Sequence, residues 1–460
     1  MNVENKLSAV PPAAATLGKV GLRGRTFLIP EMNRVASHLI AASVRSFGVQ
    51  AQVLKTYRGL AHGKRYTSGK ECYPCLVTLG DLLHFVEEER VRLGDGFNAG
   101  DYVYFMPESD GPCRFGLYNK YQRIVLDSLP GLKTLNIGAV TTTDSYSPDG
   151  FIEPENAGSL KKAAYLATVV ADILERLTWR VRPYEKEPGR TDALVDGAVR
   201  CLTETFEKHG ACDPYEPVMA ELDAILREAG SIIDPRVPPK PRIGIVGEVF
   251  LRMHADSNQN LIRVLEKYGA EVVNASMAEW MNYVSYEGLR VAKRNLRLNL
   301  KLMRLSRAMA AGKDVLNFGL TLLYQERTQK KVFKRAQRLL DLAGDHKIGL
   351  LERILKQSDV FSFDITTESC LSIPSIMHCA AGGCHGVVNV YPFTCMPSTT
   401  TSAVVRPLMN EWRFPFLDTP YDGSSQPGRE AAIRTFMYQA RQHMERNGRK
   451  NGSCHRRIVN

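Results

Sequence analysis

RTFLIPEMNRVASHLIAASVRSFGVQAQVL, residues 25–54, decides the fold class. RTFLIP (25–30) is a short apolar run that fits a buried strand. Residues 32–47 carry apolar positions at helical spacing, and VQAQVL (49–54) fits a second strand. Strand, helix, strand in that order is a βαβ unit, the building block of a parallel sheet. DYVYFMP (101–107) and LKTLNIG (132–138) extend the series. After Gly150 the apolar spacing is helical over 156–180, 193–208 and 214–229. The proline-rich SIIDPRVPPKPR (231–242) fits a linker. RIGIVGE (242–248) then opens a second series, continued by AEVVNA (270–275), GVVNV (386–390) and FPFLDT (414–419), with a last helix from about Gly428 to Arg446.

The sequence thus predicts an α/β protein of two Rossmann-like lobes with parallel sheets, joined by a helical segment. The expected divisions are a disordered leader (1–22), a first lobe (23–150), a helical connection and linker (151–240), a second lobe (241–446) and a basic tail (447–460). Ligands in such folds bind outside the carboxyl ends of the strands, here the joint edge of the two lobes.

The chain has 460 residues, 44% hydrophobic and 24% charged, the composition of an ordinary globular protein. No apolar run is long enough to span a bilayer. The first 21 residues lack a basic start followed by an apolar core, so a cytoplasmic location is expected. The net charge of +11 is partly local: residues 441–460 hold six Lys/Arg and one Glu. A solvated tail accounts for that, and no nucleic-acid-binding motif accompanies it. The basic stretch 288–313 places Leu296, Leu300 and Met303 on one face, which fits a core-packed helix with a solvated basic face. A surface for an anionic ligand, such as the phosphate tail of a CoA ester, is the sharper alternative.

In a reducing compartment, clustered cysteines favour metal or redox chemistry over disulfides. In GKECYPC (69–75), Ser68 can cap a helix whose first turns carry Cys72 and Cys75, three apart and so on one face. Pro112-Cys113 opens the helix after the third strand. Cys395 lies in the loop after GVVNV, where Pro397 and a threonine run start another helix. Each thiol therefore sits at a strand-to-helix junction, where helix N-termini stabilise thiolates and sulfide clusters. Cys72, Cys75, Cys113 and Cys395 suit a four-iron cluster between the lobes, or a structural zinc, or ordinary packing. Zinc sites usually combine two close pairs, and the scattering here favours a cluster. Cys201 and Cys212 fit buried helical thiols. Cys370, Cys379 and Cys384 fit packing against the sheet, with Cys384 in reserve as a ligand. Asp110, Glu248 and His254 are polar groups near strand ends, although Glu248 fits a helix cap and His254 a surface residue equally well.

KRYTSGKECYPC (64–75), MPESDGPCRFGLYNKYQR (106–123), GIVGEVFLR (244–252) and NVYPFTCMPS (389–398) resemble the activase-related family of 2-hydroxyacyl-CoA dehydratases. They are most similar to the C-terminal half of its large fused CoA-substrate-specific enzyme activases. That family is related to the dehydratase subunits and the double-cubane cluster proteins. The resemblance runs from about Arg25 to about Gln442. It implies an iron–sulfur cluster, 4Fe-4S above all, between Rossmann-like lobes, charged with low-potential electrons by a separate ATP-hydrolysing activase. It implies Cys72, Cys75, Cys113 and Cys395 as ligands, with Ser109, Asp110 and Gly111 lining the approach and Arg114 offsetting cluster charge. It also implies a homodimer or a dehydratase-type partner subunit and a setting in anaerobic metabolism. The lack of a nucleic-acid-binding motif and of a long apolar run leaves nucleic acid and membrane outside the expected partners. The chain departs from the fused members in having no actin-like ATPase domain and no GxxxxGK[ST] loop, so ATP would be used by a partner. Three functions follow as expectations: an electron-transferring iron–sulfur protein, an acyl-CoA dehydratase-like subunit, or a zinc-stabilised scaffold.

Overall fold

The computed structural model describes residues 17–68 and 70–449. Among the described residues, nine strands form two sheets: β1 (Leu17–Gly18), β2 (Thr26–Ile29), β3 (Gln50–Val53), β4 (Tyr102–Phe105), β5 (Asn136–Gly138), β6 (Arg242–Gly247), β7 (Glu271–Asn274), β8 (Gly386–Pro392) and β9 (Phe416–Tyr421). The first sheet runs β1-β5-β4-β2-β3 and the second β7-β6-β8-β9, and every pairing is parallel. The central strands are buried along nearly their whole length, as parallel sheets covered by helices on both faces require. All eight predicted strands are present. The ninth, β1, is too short to leave a pattern, and it places the start of the first lobe inside the expected leader. Residues 1–16 and 450–460 of the expected leader and tail lie outside the described residues.

Helices Pro154–Val181, Arg190–His209 and Tyr215–Ile232 form the connection, and Arg34–Arg45 of the first lobe packs with them. Leu166, Val170, Ile173 and Leu177 of the long helix meet Leu202, Phe206, Leu222 and Leu226. The linker after them is pinned: Asp234 N–H donates to the Tyr184 carbonyl at 2.7 Å, and Lys240 N–H to the Tyr184 hydroxyl at 3.0 Å.

The basic stretch 288–313 is not one helix. Helices Met277–Lys301 and Leu305–Gln337 fold back on each other across a short turn at Met303, which has φ 53°. Leu300 and Met303 are 51% and 80% exposed, which corrects the core-packed expectation. They sit at the tip of this hairpin, beyond the reach of either sheet.

One helix start packs on both lobes. Tyr73, Leu76 and Val77 of helix Tyr73–Leu93 belong to the first lobe by chain order but pack with Ile245, Val388 and Tyr421 of the second. Each such buried side chain contributes about 1.5–3 kcal/mol, enough to hold the start of this helix against the second sheet. His254 joins the same seam. Its Nε2 lies 2.7 Å from the Thr56 hydroxyl, and Nδ1 accepts from Ser257 N–H at 3.1 Å. At 3% exposure it is a buried interlobe contact rather than a surface residue.

Candidate metal centre at the lobe junction

A cavity of about 290 Å³ opens where the carboxyl ends of the two sheets face each other. Cys72, Cys113, Cys395, Glu248 and Glu368 all line it. Each of the five immediately precedes a helical segment: Tyr73–Leu93, the 3₁₀ turn Arg114–Leu117, Met396–Glu411, Val249–Met253 and Ser369–Ala381 respectively. Five helix starts therefore converge with their N–H groups around one space, an environment that favours anionic ligands and clusters.

The capping chemistry divides in two. Glu248 satisfies its own helix, accepting from Phe250 N–H at 3.1 Å and Leu251 N–H at 2.9 Å. Glu368 reaches the Val249 N–H at 3.4 Å, which ties two of the helix starts together. Cys72 makes no capping hydrogen bond to its helix, whereas the Phe115 N–H beside Cys113 and the Ser398 N–H beside Cys395 favour those thiolates.

The backbone around the cavity is strained. Cys72 has φ 105° and ψ 143°, a region that a residue with a Cβ rarely visits. Thr394, directly before Cys395, has φ 65°, and Thr366 and Tyr146 on the cavity wall have φ 54° and 55°. Such conformations cost roughly 1–3 kcal/mol each and persist only where the surroundings over-determine them.

The strain at Cys72 corrects one expectation. Cys72 is the residue before the helix, not a member of its first turn, and Ser68 bonds the Glu71 carboxylate instead of capping it. The rule that residues three apart share a helix face does not reach across that boundary. Cys75 is fully buried in the first-lobe core with Leu79, Tyr104 and Tyr118, and it does not line the cavity. Cys113 likewise precedes a 3₁₀ turn rather than opening the helix, which begins at Tyr118. Cys395 and Pro397 stand at a helix start as expected.

Ser109, Asp110 and Arg114 line the cavity. Gly111 has φ 106°, and a Cβ there would lie 3.1 Å from the Thr366 carbonyl, so this turn needs glycine both for its backbone and for its approach to the second lobe. Arg114 donates to the Lys70 carbonyl and, at 2.9 Å, to the Thr394 carbonyl. The same guanidinium lowers the pKa of Cys72.

Burial governs the ionisation of the thiols. It pushes Cys72 up to about 11, opposed by a hydrogen bond with the Tyr118 hydroxyl. Burial first and Glu368 next push Cys113 and Cys395 up as well. Burial and then Glu248 push Glu368 up to about 8, and Glu248 is itself raised by burial. Three thiols and two carboxyl groups thus face one space, with Arg114 and Arg252 as the cations acting on them. One Glu368 oxygen has no hydrogen-bond partner. Such a set holds its protons until a cation replaces them, which is how metal sites load.

Spacing separates the metal alternatives. Among the described residues, the three sulfurs do not all lie within 4.8 Å of one another. A single zinc ion with 2.3 Å bonds holds its thiolates about 3.8 Å apart. The arrangement is wider than the shell of a single ion.

The other cysteines stand apart. Cys370 packs beside Tyr283 and Ile373, and the Cys379 and Cys384 sulfurs lie 3.0 Å apart against Gly244 of β6. Cys201 is half-buried beside Glu221, and Cys212 is exposed rather than buried. Cys454 lies outside the described residues. Glu368, Tyr118 and Tyr146 are site residues that sequence reasoning missed. None sits in a spaced motif, and only Glu368 carries a weak signal, as an acidic residue directly before an apolar helix.

A scan against family models and a search of curated proteins both return no match for this chain. No helix among the described residues is long and apolar enough to cross a membrane.

Proposed function

We propose that this protein holds an iron–sulfur cluster at the junction of its lobes, with Cys72, Cys113 and Cys395 as ligands, and takes part in low-potential electron transfer. The observation that carries this reading is the meeting of three cysteines at one cavity, each at a helix start, drawn from both lobes and from positions 72 to 395. Such a cluster accepts and releases single electrons when bound. The chain supplies the rest. Its helix N-termini offset the negative charge of the ligands, Arg114 holds the two ligand-bearing loops together, and the apolar cavity wall keeps water away. Three cysteines leave a four-iron cluster one iron without a protein thiolate, and the cavity is the space that iron would face.

The resemblance to the 2-hydroxyacyl-CoA dehydratase activase family gives this reading its partners: a separate ATP-hydrolysing reductase that donates the electrons and a second subunit, either another copy or a dehydratase-type chain. A dehydratase-like role on a CoA ester is the second reading. It is favoured by the mostly apolar cavity and by Glu368, a carboxyl group that holds its proton up to about pH 8 and could donate it to a bound acyl group.

The test is iron and acid-labile sulfide analysis, with visible absorption, on anaerobically purified protein. Iron and sulfide that disappear in Cys395→Ala support the proposal. Colourless protein with stoichiometric zinc, or no metal in freshly prepared anaerobic samples, would sink it and leave the scaffold reading.

A further inference from the structure

Outside the residues that line the cavity, the partly exposed His62, His84 and Glu87 bring one ligand atom each to within 4.8 Å of the others. His62 sits on helix Leu60–Tyr66, and His84 and Glu87 on helix Tyr73–Leu93. The His62 Nε2 lies 3.1 Å from the Glu87 carboxylate, and the two imidazole rings are nearly parallel with centroids 6.0 Å apart. His84 and Glu87 are three apart inside one helix, where the face rule does hold, so both point toward the neighbouring helix. Glu88 follows on the same face, 3.6 Å from His84 Nε2 and 3.0 Å from Lys55.

The two helices are not free to drift. A Cβ on Gly59 would lie 1.9 Å from the Gly80 carbonyl oxygen, and one on Gly63 would lie 2.1 Å from that of Leu76. Backbone packs on backbone through glycines, so the separation of the two helix backbones is set by the fold. Two neutral imidazoles and one carboxylate are the donor set of many zinc sites that keep a fourth position open, with bonds of about 2.0–2.2 Å. Small rotamer changes at these partly exposed residues close the remaining distance.

We propose that His62, His84 and Glu87 bind one divalent transition-metal ion of the zinc class, and that this ion clamps the two helices flanking the loop that carries Cys72. The loop from Thr67 to Cys72 leaves the end of one helix and enters the start of the other. An ion bridging His62 to His84 fixes the spacing at its base. The open fourth position takes water or Glu88. Imidazole and carboxylate ligands also accept cobalt, nickel and copper, which makes cobalt a usable probe.

The experiment is titration of untagged protein with Co²⁺, read by absorption, for wild type, the Cys72→Ser/Cys113→Ser/Cys395→Ser variant, and His62→Asn and His84→Asn separately. Far-ultraviolet circular dichroism checks that each is folded, and the histidine variants are surface changes on intact helices. The expected result is visible cobalt bands without a near-ultraviolet thiolate band. They persist in the cysteine variant and weaken at least about tenfold in either histidine variant. Bands that vanish with the cysteines, bands that persist in both histidine variants, or no binding at all would overturn the site. This outcome is independent of whether the cavity holds iron. Zn²⁺ should also raise the melting temperature of wild type and leave that of His84→Asn unchanged. Equal shifts in both would overturn the clamp.

Discussion

Arg114 Nη2 donates to the carbonyl of Thr394 at 2.9 Å, while Nη1 of the same guanidinium donates to the carbonyl of Lys70. One side chain, next to Cys113, thereby binds the loop before Cys72 and the loop before Cys395. The three cysteine segments come from distant parts of the chain, and this fork links all three.

Arg114→Met keeps the stem but leaves both carbonyls unpaired. Hydrogen bonds to a charged group contribute about 1.5–3 kcal/mol, and less where water competes, so the metal-free variant should lose about 1–2 kcal/mol in urea unfolding. Its iron content should fall as well. Unchanged iron with lowered stability would make Arg114 a fold clamp only.

The strain at Cys72 predicts an unusual reversal. Cys72→Gly removes the Cβ that makes φ 105° costly, so the metal-free variant should be more stable than Cys72→Ser by about 1 kcal/mol. Both should lose bound iron. Cys75→Ala, by contrast, should keep its iron at some cost in stability, because Cys75 packs in the core and does not line the cavity. Loss of iron in Cys75→Ala, measured on folded protein, would restore the four-cysteine ligand set.

Glu175 predicts how stability varies with pH. Its carboxyl accepts from Asn33 Nδ2 at 2.8 Å, and its other oxygen is buried without a partner. Burial first, and Asp172 next, raise it from the ordinary 4.5 to about 8. A folded-state value above the unfolded one means that folding favours the protonated form. That contribution is complete below about pH 4.5 and is lost as pH rises through 8. Urea unfolding should therefore show stability falling between about pH 5 and pH 8, with a slope of at most about 1.4 kcal/mol per unit from this group. Glu175→Gln, which mimics the protonated acid, should flatten that part of the decline. An identical slope in the variant would count against it.

The Cys379 and Cys384 sulfurs stand 3.0 Å apart, and the hydrogen bond between them lowers the pKa of Cys384. A thiol whose pKa is lowered attacks oxidised sulfur faster at neutral pH. Mild oxidation by diamide should close a disulfide here, seen as a mass lower by two hydrogens and absent in Cys384→Ser. The cavity lies elsewhere, so iron content should not depend on Cys384. Iron lost in Cys384→Ser would show that this cysteine serves as the reserve ligand after all.

The local layout was legible because it is written at short range. RTFLIP, DYVYFMP, RIGIVGE and GVVNV became β2, β4, β6 and β8 because a strand buried on both faces must be continuously apolar. Cys395 was placed correctly because proline just after a loop marks a helix start. Readings failed where a tertiary contact overrode the local rule. Leu300 and Met303 follow a core pattern, yet the turn at Met303 carries them out to the tip of a hairpin. His254 sits in polar surroundings in sequence and in a buried seam in space.

By itself, then, the sequence determined eight of the strands, most of the helices, the two lobes and the fact that Cys72, Cys113 and Cys395 fall at helix starts, since each of these depends on residues within a few positions of one another. Cys72, however, stands between two helices and not after a strand. Only the tertiary structure decided which thiols meet. Cys72 turns into the cavity because packing of Tyr73, Leu76 and Val77 against the second sheet holds its backbone in a conformation no local preference selects, while Cys75, three residues on, is carried into the core. Glu368 joins them because the helix it opens, Ser369–Ala381, leads into β8 and so starts at the carboxyl edge of the second sheet, a proximity that spacing along the chain does not encode.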